Sequence, residues 1–434
     1  MANIIVVGAG HGGLTAAARL AAAGHSVTVL EKKNRNELGY DWHDRFSFSV
    51  LAKALDTTED AFSPEIWEYR GDCAFISPAK RKNIVIRYDI ESRQKIMWRK
   101  PLINMLVDHA EQCGVRFVFG VPVFGPELAG KSVTGIHTKH GVYSADLVID
   151  AAGVFSPIRS KLPKYLHIEN APKDNDVFYA YRAYYKKTEN VLPEAPFEVY
   201  LRHNGEKGLS WLYTAEDYVD ILIGRTEPLS EEQLEETVSV FRFEHPWFND
   251  QIVHGGSHGI IPVRRPLTLM VANGYAAVGD SAFMTTPMNG MGIDLSLQAG
   301  MLLADTVLHA PSDHYTADVL WEYNRDYHLL YGGETARNEG LKNALLSLPA
   351  QGVDFLFEQD VIQAADLSGA GRNMNLPALL GKFTRGMHKP PFFFTIINGL
   401  RKGSKAAALY QSPPPAYDLQ AVIKWDKAIR ACDI

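Results

Sequence analysis

Short apolar runs, glycine-rich turns and helix-length stretches alternate through the first third of the chain, the pattern of parallel strands joined by helices. Ile4-Ile5-Val6-Val7 is a continuous apolar run of the buried-strand kind. After a cluster of glycines, a small-residue helix is predicted from Leu14 to Ala23, stopped by Gly24, and a second apolar run from Val27 to Leu30 ends on Glu31. The pattern returns in a helix from Leu102 to Cys113, a strand ending near Asp150, a strand over Tyr275 to Val278 and a helix from Asp294 to about Leu308. Between them the texture changes. Phe178 to Lys186, Phe197 to Arg202, Trp211 to Tyr213 and Tyr218 to Arg225 are aromatic-rich runs broken by Pro and Gly, which predict an antiparallel sheet. Ser230 to Phe243 reads as a capped helix, with Ser230 at the N-cap and Gln233 three residues on. Beyond Leu308 the pattern is helical, and Pro413-Pro414-Pro415 forms a stiff linker to a last helix near Ala421 to Arg430.

The first glycine cluster, Gly8-Ala9-Gly10-His11-Gly12-Gly13, fits G-x-G-x-x-G, with a strand before it, a helix through it and an acid after the next strand. Gly8 allows the tight turn, Gly10 lets backbone approach a pyrophosphate, and Gly13 permits close packing of helix on strand. The helix N-terminus offers unpaired N–H groups and a positive dipole end to phosphates. Glu31 is placed to accept from ribose hydroxyls and would repel a 2′-phosphate. The motif specifies a dinucleotide without choosing between NAD and FAD.

Gly279-Asp280-Ser281-Ala282-Phe283, followed by Pro287-Met288-Asn289-Gly290-Met291-Gly292-Ile293, resembles the G-D-[AS]-A…P-x-x-G-x-G-I block of flavoproteins that share the fold of aromatic hydroxylases and geranylgeranyl reductases. In that family the Asp binds the ribityl chain of FAD and the backbone after the Pro lies beside the isoalloxazine. The resemblance therefore implies FAD as cofactor, with Gly279, Asp280, Pro287, Gly290, Gly292 and Ile293 among its binding residues. Independently, glycines admit a ring system close to backbone, and a helix N-terminus faces the negative charge of a reduced flavin. Arg99-Lys100-Pro101-Leu102 is similar to the family's R-x-x-L segment, whose Arg reaches the FAD phosphates or the flavin edge. Asp150 to Arg159 resembles the D-G-x-x-S-x-x-R block, with Gly153, Ser156 and Arg159 in register. Ala152 departs from the hydroxylases' Asp, and Asp150 matches the D-A-[ST]-G form of related flavoproteins.

Gly208 to Thr214 is similar to the G-[YW]-[GA]-W-x-F-P segment of geranylgeranyl reductases, where it walls the pocket for an isoprenoid chain. Carried over, Trp211 and Tyr213 line a substrate pocket; Leu209 and Thr214 depart from the motif. The family's cysteine-bearing loop has no counterpart, since Gly39 to Asp44 stands in its place. Phe283 replaces the hydroxylases' His, and Ser296 to Gly300 resembles the reductases' A-x-x-S-G helix. The resemblance implies reduction of a carbon–carbon double bond in an apolar isoprenoid or lipid substrate by hydride from flavin N5. The alternatives are a monooxygenase or halogenase-like enzyme using NAD(P)H and oxygen, and a non-catalytic flavin electron carrier, which would have no need of the aromatic mid-region. The electron donor is NAD(P)H or a reduced carrier, and the pattern names no catalytic residue.

The expected fold is α/β with α+β character. A Rossmann-like FAD-binding unit is assembled from residues 1–60, 95–160 and 270–310, an antiparallel-sheet substrate region from 61–94 and 161–269, and a helical C-terminal region from 311–434. At 434 residues and 46% hydrophobic content the chain has ample core, and a net charge of −6 argues against nucleic acid. Three scattered cysteines suggest a reducing compartment, and Met1-Ala2-Asn3 leaves no room for a signal peptide before the first strand, so a cytoplasmic protein is expected. There is no metal-ligand spacing, and His43, His109 and His245 read as surface or satisfied core residues. Residues 390–405 pass from Pro390-Pro391-Phe392-Phe393-Phe394 to Arg401, Lys402 and Lys405. The preferred reading is a core helix with a solvated basic end, and the alternative is a shallow membrane anchor.

Overall fold

In a computed structural model describing residues 1–68, 71–87, 95–367, 381–382 and 384–433, the nucleotide motifs converge on one sheet. Its strands run in the order Val271–Ala272, Tyr275–Ala277, Leu147–Asp150, Asn3–Val7, Ser26–Glu31, Arg116–Phe119, parallel except at the short Val271–Ala272 edge. Asn3–Val7 lies inside the sheet with Ile4 and Val6 fully buried, which is why its sequence is continuously apolar rather than alternating. The following helix spans His11–Ala22, three residues earlier than its apolar pattern begins, because Gly10 is the last extended residue. Gly12 and Gly13 thus fall in the first helical turn. A Cβ on Gly300 of helix Ile293–Leu308 would sit 2.3 Å from the Gly12 carbonyl oxygen, so these two helices cross backbone to backbone. The third cofactor-motif helix, Arg99–Gln112, carries Pro101 in its first turn, where a missing N–H costs nothing.

The aromatic runs form a seven-stranded sheet ordered Phe248–Pro262, Val177–Lys187, Tyr218–Arg225, Gly208–Thr214, Phe197–Leu201, Cys73–Ile76, Asn83–Ile86, antiparallel except for the pairing of Phe197–Leu201 with Cys73–Ile76. Because side chains alternate across a strand, one face buries Tyr181, Tyr185, Leu212, Ile221 and Ile223 against Leu234, Val238 and Phe241 of helix Glu231–Glu244. That helix has the expected capping box: Gln233 N donates to Ser230 Oγ at 3.2 Å, and Ser230 N donates to Gln233 Oε1 at 3.0 Å. The opposite face is left for a cavity. A small sheet of His43–Arg45, Lys95–Trp98 and Trp67–Glu68 lies among the sequence segments that join the two large sheets.

Helices dominate after Leu308. Helix Pro390–Tyr410 packs on Gly333–Ser347, where a Cβ on Gly340 would come 2.5 Å from the Gly399 oxygen, and it buries Phe393, Ile396, Ala406 and Tyr410. The proline segment is docked by Trp321, whose Nε1 donates to the Pro414 oxygen at 2.8 Å, before helix Leu419–Arg430. No helix among the described residues is long and apolar enough to cross a membrane.

Candidate functional site

At the C-terminal edge of the parallel sheet, the first helix has no side-chain cap on its N-terminus, leaving first-turn N–H groups for an anion. Gly8 has φ +92°, and a Cβ there would lie 2.5 Å from the Ala151 oxygen. The nearest obstacle to a Cβ on Gly10 is the same oxygen, at 3.0 Å, and on Gly13 it is the Ala151 side chain, at 2.5 Å. The three glycines therefore let the turn close against the end of strand Leu147–Asp150. Glu31 is buried and accepts from Ala9 N and Lys33 N, both at 2.8 Å, one on each carboxylate oxygen, so each oxygen keeps a lone pair. His11 Nε2 is buried without a partner, and burial, then the Arg99 charge, lower the ring's pKa to about 4, so it is neutral.

Asp150 explains how distant motifs meet. Its carboxylate accepts from Ala152 N, Ser156 Oγ, Tyr275 Oη and Ser281 Oγ, tying the turn around Gly153 to the one around Gly279. Gly153, at φ +87°, has open space where a Cβ would project. In the second turn, Gly279 and Phe283 both adopt left-handed backbone, and Asp280 stands between them. No protein group donates to the Asp280 carboxylate among the described residues. Burial, opposed by Arg99, pushes its pKa up to about 6. An uncapped helix end, an orphaned imidazole and a carboxylate lacking a donor fit a dinucleotide whose pyrophosphate meets the first turn and whose polyol meets Asp280.

Pro287 is buried, and Met288 to Ile293, with Gly290 at φ +68° and Gly292 as the uncapped N-cap of the next helix, forms one wall of a cavity of about 520 Å³. The far wall is the free face of the seven-stranded sheet. The pairing register aligns Phe75, Val199, Trp211 and Leu222 in one row and Cys73, Phe197 and Tyr213 in the next, and all seven line the cavity. Trp211 and Tyr213 therefore face the loop of Pro287 to Ile293 across one space. Burial pushes the Cys73 thiol up to about 12, so it stays protonated.

The same two rows end on polar residues that sequence patterning did not single out. Arg182 pairs with Leu222 in register, and Asp220 follows Tyr213. Arg182 donates Nε to Asp220 at 2.9 Å, Nη2 to Asp220 at 2.6 Å and Nη1 to the His43 oxygen at 2.7 Å. His43 Nε2 is 3.1 Å from the Tyr218 hydroxyl. His43 is thus a satisfied core residue, yet it also borders the cavity. Arg99 is ion-paired through Nε to Asp44 and lies over the rings of Tyr40 and Trp42 at 5.5 and 5.2 Å. Burial works to raise the Asp44 carboxyl, but Arg99 and then Arg182 outweigh it and hold it at about 2. The segment from Tyr40 to Asp44 therefore supplies an aromatic and charged border. Only the pairing of the sheets reveals this, because no local spacing relates residue 43 to residues 182 and 220. His109 stands 3.9 Å from Asp56, and His245 is 3.0 Å from Glu198, both away from the cavity lining.

Residues 6–69 match the family model described as NAD(P)-binding Rossmann-like domain. A digeranylgeranylglycerophospholipid reductase of Sulfolobus acidocaldarius is 23% identical over 95% of this chain and 93% of its own length. Among solved structures, a geranylgeranyl bacteriochlorophyll reductase-like protein of Thermoplasma acidophilum superposes with a TM-score of 0.70 at 19% identity, covering 92% of this chain and 99% of that one. A flavin-dependent brominase shares the fold at a TM-score of 0.56 and 15% identity, over 99% of this chain and 98% of its own. With relatives spanning nearly its whole length and the two flavoprotein signatures joined at one cavity, the chain is an FAD-dependent oxidoreductase with a geranylgeranyl reductase-like fold.

Proposed function

We propose that this enzyme reduces carbon–carbon double bonds in an apolar isoprenoid or lipid substrate. The observation that carries the reading is the continuity of the cavity: glycine backbone at Gly290 and Gly292 forms one wall, and a mostly apolar sheet face with Trp211 and Tyr213 forms the other. FAD, when bound and reduced, supplies the hydride for one alkene carbon, and a proton completes the addition at the other. In this reading Gly8, Gly10, Gly13 and Glu31 hold the adenosine and pyrophosphate end, with Arg99 and Gly153 bordering it. Asp280 orients the ribityl chain, and Gly279 gives the turn that presents it. Pro287, Gly290, Gly292 and Ile293 keep side-chain bulk away from the ring. Trp211, Tyr213 and the apolar rows beside them exclude water and align a long chain by contact area rather than by hydrogen bonds. The electron donor is NAD(P)H or a reduced electron carrier, and the rate of anaerobic cofactor bleaching with each decides between them.

The brominase's fold raises the oxygen-using alternative, and one experiment separates the two. The enzyme is reduced chemically without oxygen, polyprenyl and fatty enoyl compounds are added, and reoxidation is followed at the visible flavin absorbance with product mass. The expected result is reoxidation by an alkene with a product heavier by two hydrogens. Inert alkenes, with reoxidation only by oxygen and an aromatic product gaining one oxygen atom, would transfer the assignment to a monooxygenase.

A further inference from the structure

Helix Pro390–Tyr410 has two unlike faces. Phe393, Ile396, Gly399, Gly403, Ala406 and Tyr410 are buried. Pro391, Phe394, Asn398, Arg401, Ser404, Lys405 and Ala408 are exposed, and their spacing confines them to an arc of about 140°. The chemistry of this arc changes along its length. Phe394 is 51% exposed, and Met387, just ahead of the helix, is 40% exposed. Two and three turns beyond Phe394, Arg401 and Lys405 form no ion pair among the described residues; the exposed Lys389 forms none either, and its Nζ lies 5.7 and 5.8 Å from the Phe355 and Phe392 ring centroids. No Asp or Glu occurs between Asp366 and Asp418, whereas seven Lys and Arg do, in a chain whose net charge is −6. Of the described bases in this stretch, Lys389, Arg401 and Lys405 are exposed and add positive charge to this face.

We propose that this face docks on an anionic phospholipid bilayer, with Phe394 and Met387 in the head-group and acyl boundary and Lys389, Arg401 and Lys405 against the lipid phosphates. Apolar side chains at one end of the face, with Lys389 beside them, and bases without an ion pair at the other are what an interfacial helix needs. A helix with its other face packed in the core lies on a bilayer and does not cross it. The position of the helix supplies a purpose, which rests on the lipid-reductase reading. Phe392, Ile397 and Leu400 pack in the same apolar cluster as Phe75, Met288, Leu345 and Leu367, and those last four line the cavity. An apolar substrate held in the bilayer would thus lie beside the cavity's outer wall instead of crossing water. With few inserted side chains and three bases, the attachment is reversible and weakened by salt.

The test is flotation of the full chain with vesicles of phosphatidylcholine, alone or with about a third phosphatidylglycerol. The protein should float with the anionic vesicles at low salt and be released at high salt. Each base near an anionic surface contributes about fivefold to partitioning, so Arg401→Gln with Lys405→Gln should lower it about 25-fold. Phe394→Ser should lower it further, while all these variants keep the turnover of detergent-dispersed alkene. Equal flotation of wild type and variants, flotation independent of phosphatidylglycerol, or neglect of vesicles with binding to polyglutamate instead would overturn the proposal, the last assigning the face to an acidic protein. Vesicle binding by a protein that leaves every alkene unreduced would support this face and sink the reductase reading alone.

Discussion

Asp280 offers a prediction whose size follows from its surroundings. Its carboxyl has no protein donor among the described residues, and burial raises its pKa to about 6 in the absence of ligand. If ribityl hydroxyls donate to the carboxylate, FAD binding favours the ionised form and draws that pKa down toward the ordinary value. The sign then follows from linkage: the bound-state pKa is depressed relative to the free state, so the extra affinity is present above pH 6 and lost as pH falls. With a bound pKa near the unperturbed ~3.9, FAD affinity should weaken about tenfold between pH 7 and pH 5. His11 titrates near 4 and lies below that window. Asp280→Asn removes the charge while keeping the shape. It should weaken FAD by about 1.5–3 kcal/mol at pH 8, or about 10- to 150-fold, and leave little dependence between pH 5 and 7. The assay is titration of apoprotein with FAD, followed by quenching of flavin fluorescence at several pH values. A flat profile in the wild type, or the same slope in the Asn variant, would refute the proposed contact.

Trp211→Ala removes roughly 100 Å² of cavity wall, worth about 2.5 kcal/mol of contact with a chain long enough to reach it. In steady-state assays kcat/KM should therefore fall for long polyprenyl substrates and be nearly unchanged for short ones; an equal loss for both would remove Trp211 from the pocket. Arg182→Met leaves Asp220 and the His43 carbonyl buried without their donor, and denaturant unfolding should show a loss of about 3–5 kcal/mol. Because the Arg182–Asp220 pair is an internal device, Arg182→Met combined with Asp220→Leu should recover part of that loss. Gly300→Leu would force apart two helices, since even its Cβ would lie 2.3 Å from the Gly12 carbonyl oxygen, and the protein should be obtained colourless or insoluble. A soluble yellow Gly300→Leu protein would mean that the crossing can relax.

The parts of the site that were legible in the sequence are those made by local backbone. The turn at Gly8 to Gly13, the acid at Glu31 and the block from Gly279 to Ile293 depend on glycine conformations, helix starts and strand ends within a dozen residues, and those leave a direct imprint on residue choice. Ser230 and Gln233 are a further case, since a capping box is a contact across three residues. The alternation of Phe197, Val199 and Leu201, and of Leu209, Trp211 and Tyr213, likewise marks one face of each strand. The cluster of His43, Asp44, Arg99, Arg182 and Asp220 was not legible, because its members come from three strands, in two sheets, and a helix. Arg99 stood out through its R-x-x-L segment, but each of the other four, read alone, is an ordinary polar residue. Asp150 lies between these cases: its neighbours suggest a cofactor turn, but its hydrogen bonds to Tyr275 and Ser281 are long-range.

The sequence by itself determined the cofactor class, the order of elements and which strand faces are apolar, because strands, turns and helix ends are governed by short-range sterics and hydrogen bonding. It also determined that residues 390–405 pass from apolar residues to bases. Only the tertiary structure decided which apolar faces meet. Sheet pairing set Trp211 beside Val199 and Leu222, drew Arg182 and Asp220 to the inner end of the same surface, and turned one side of the last long helix inward and the other out. These outcomes follow from burying apolar area and satisfying buried charges over the whole chain at once, a condition that no short stretch of sequence encodes.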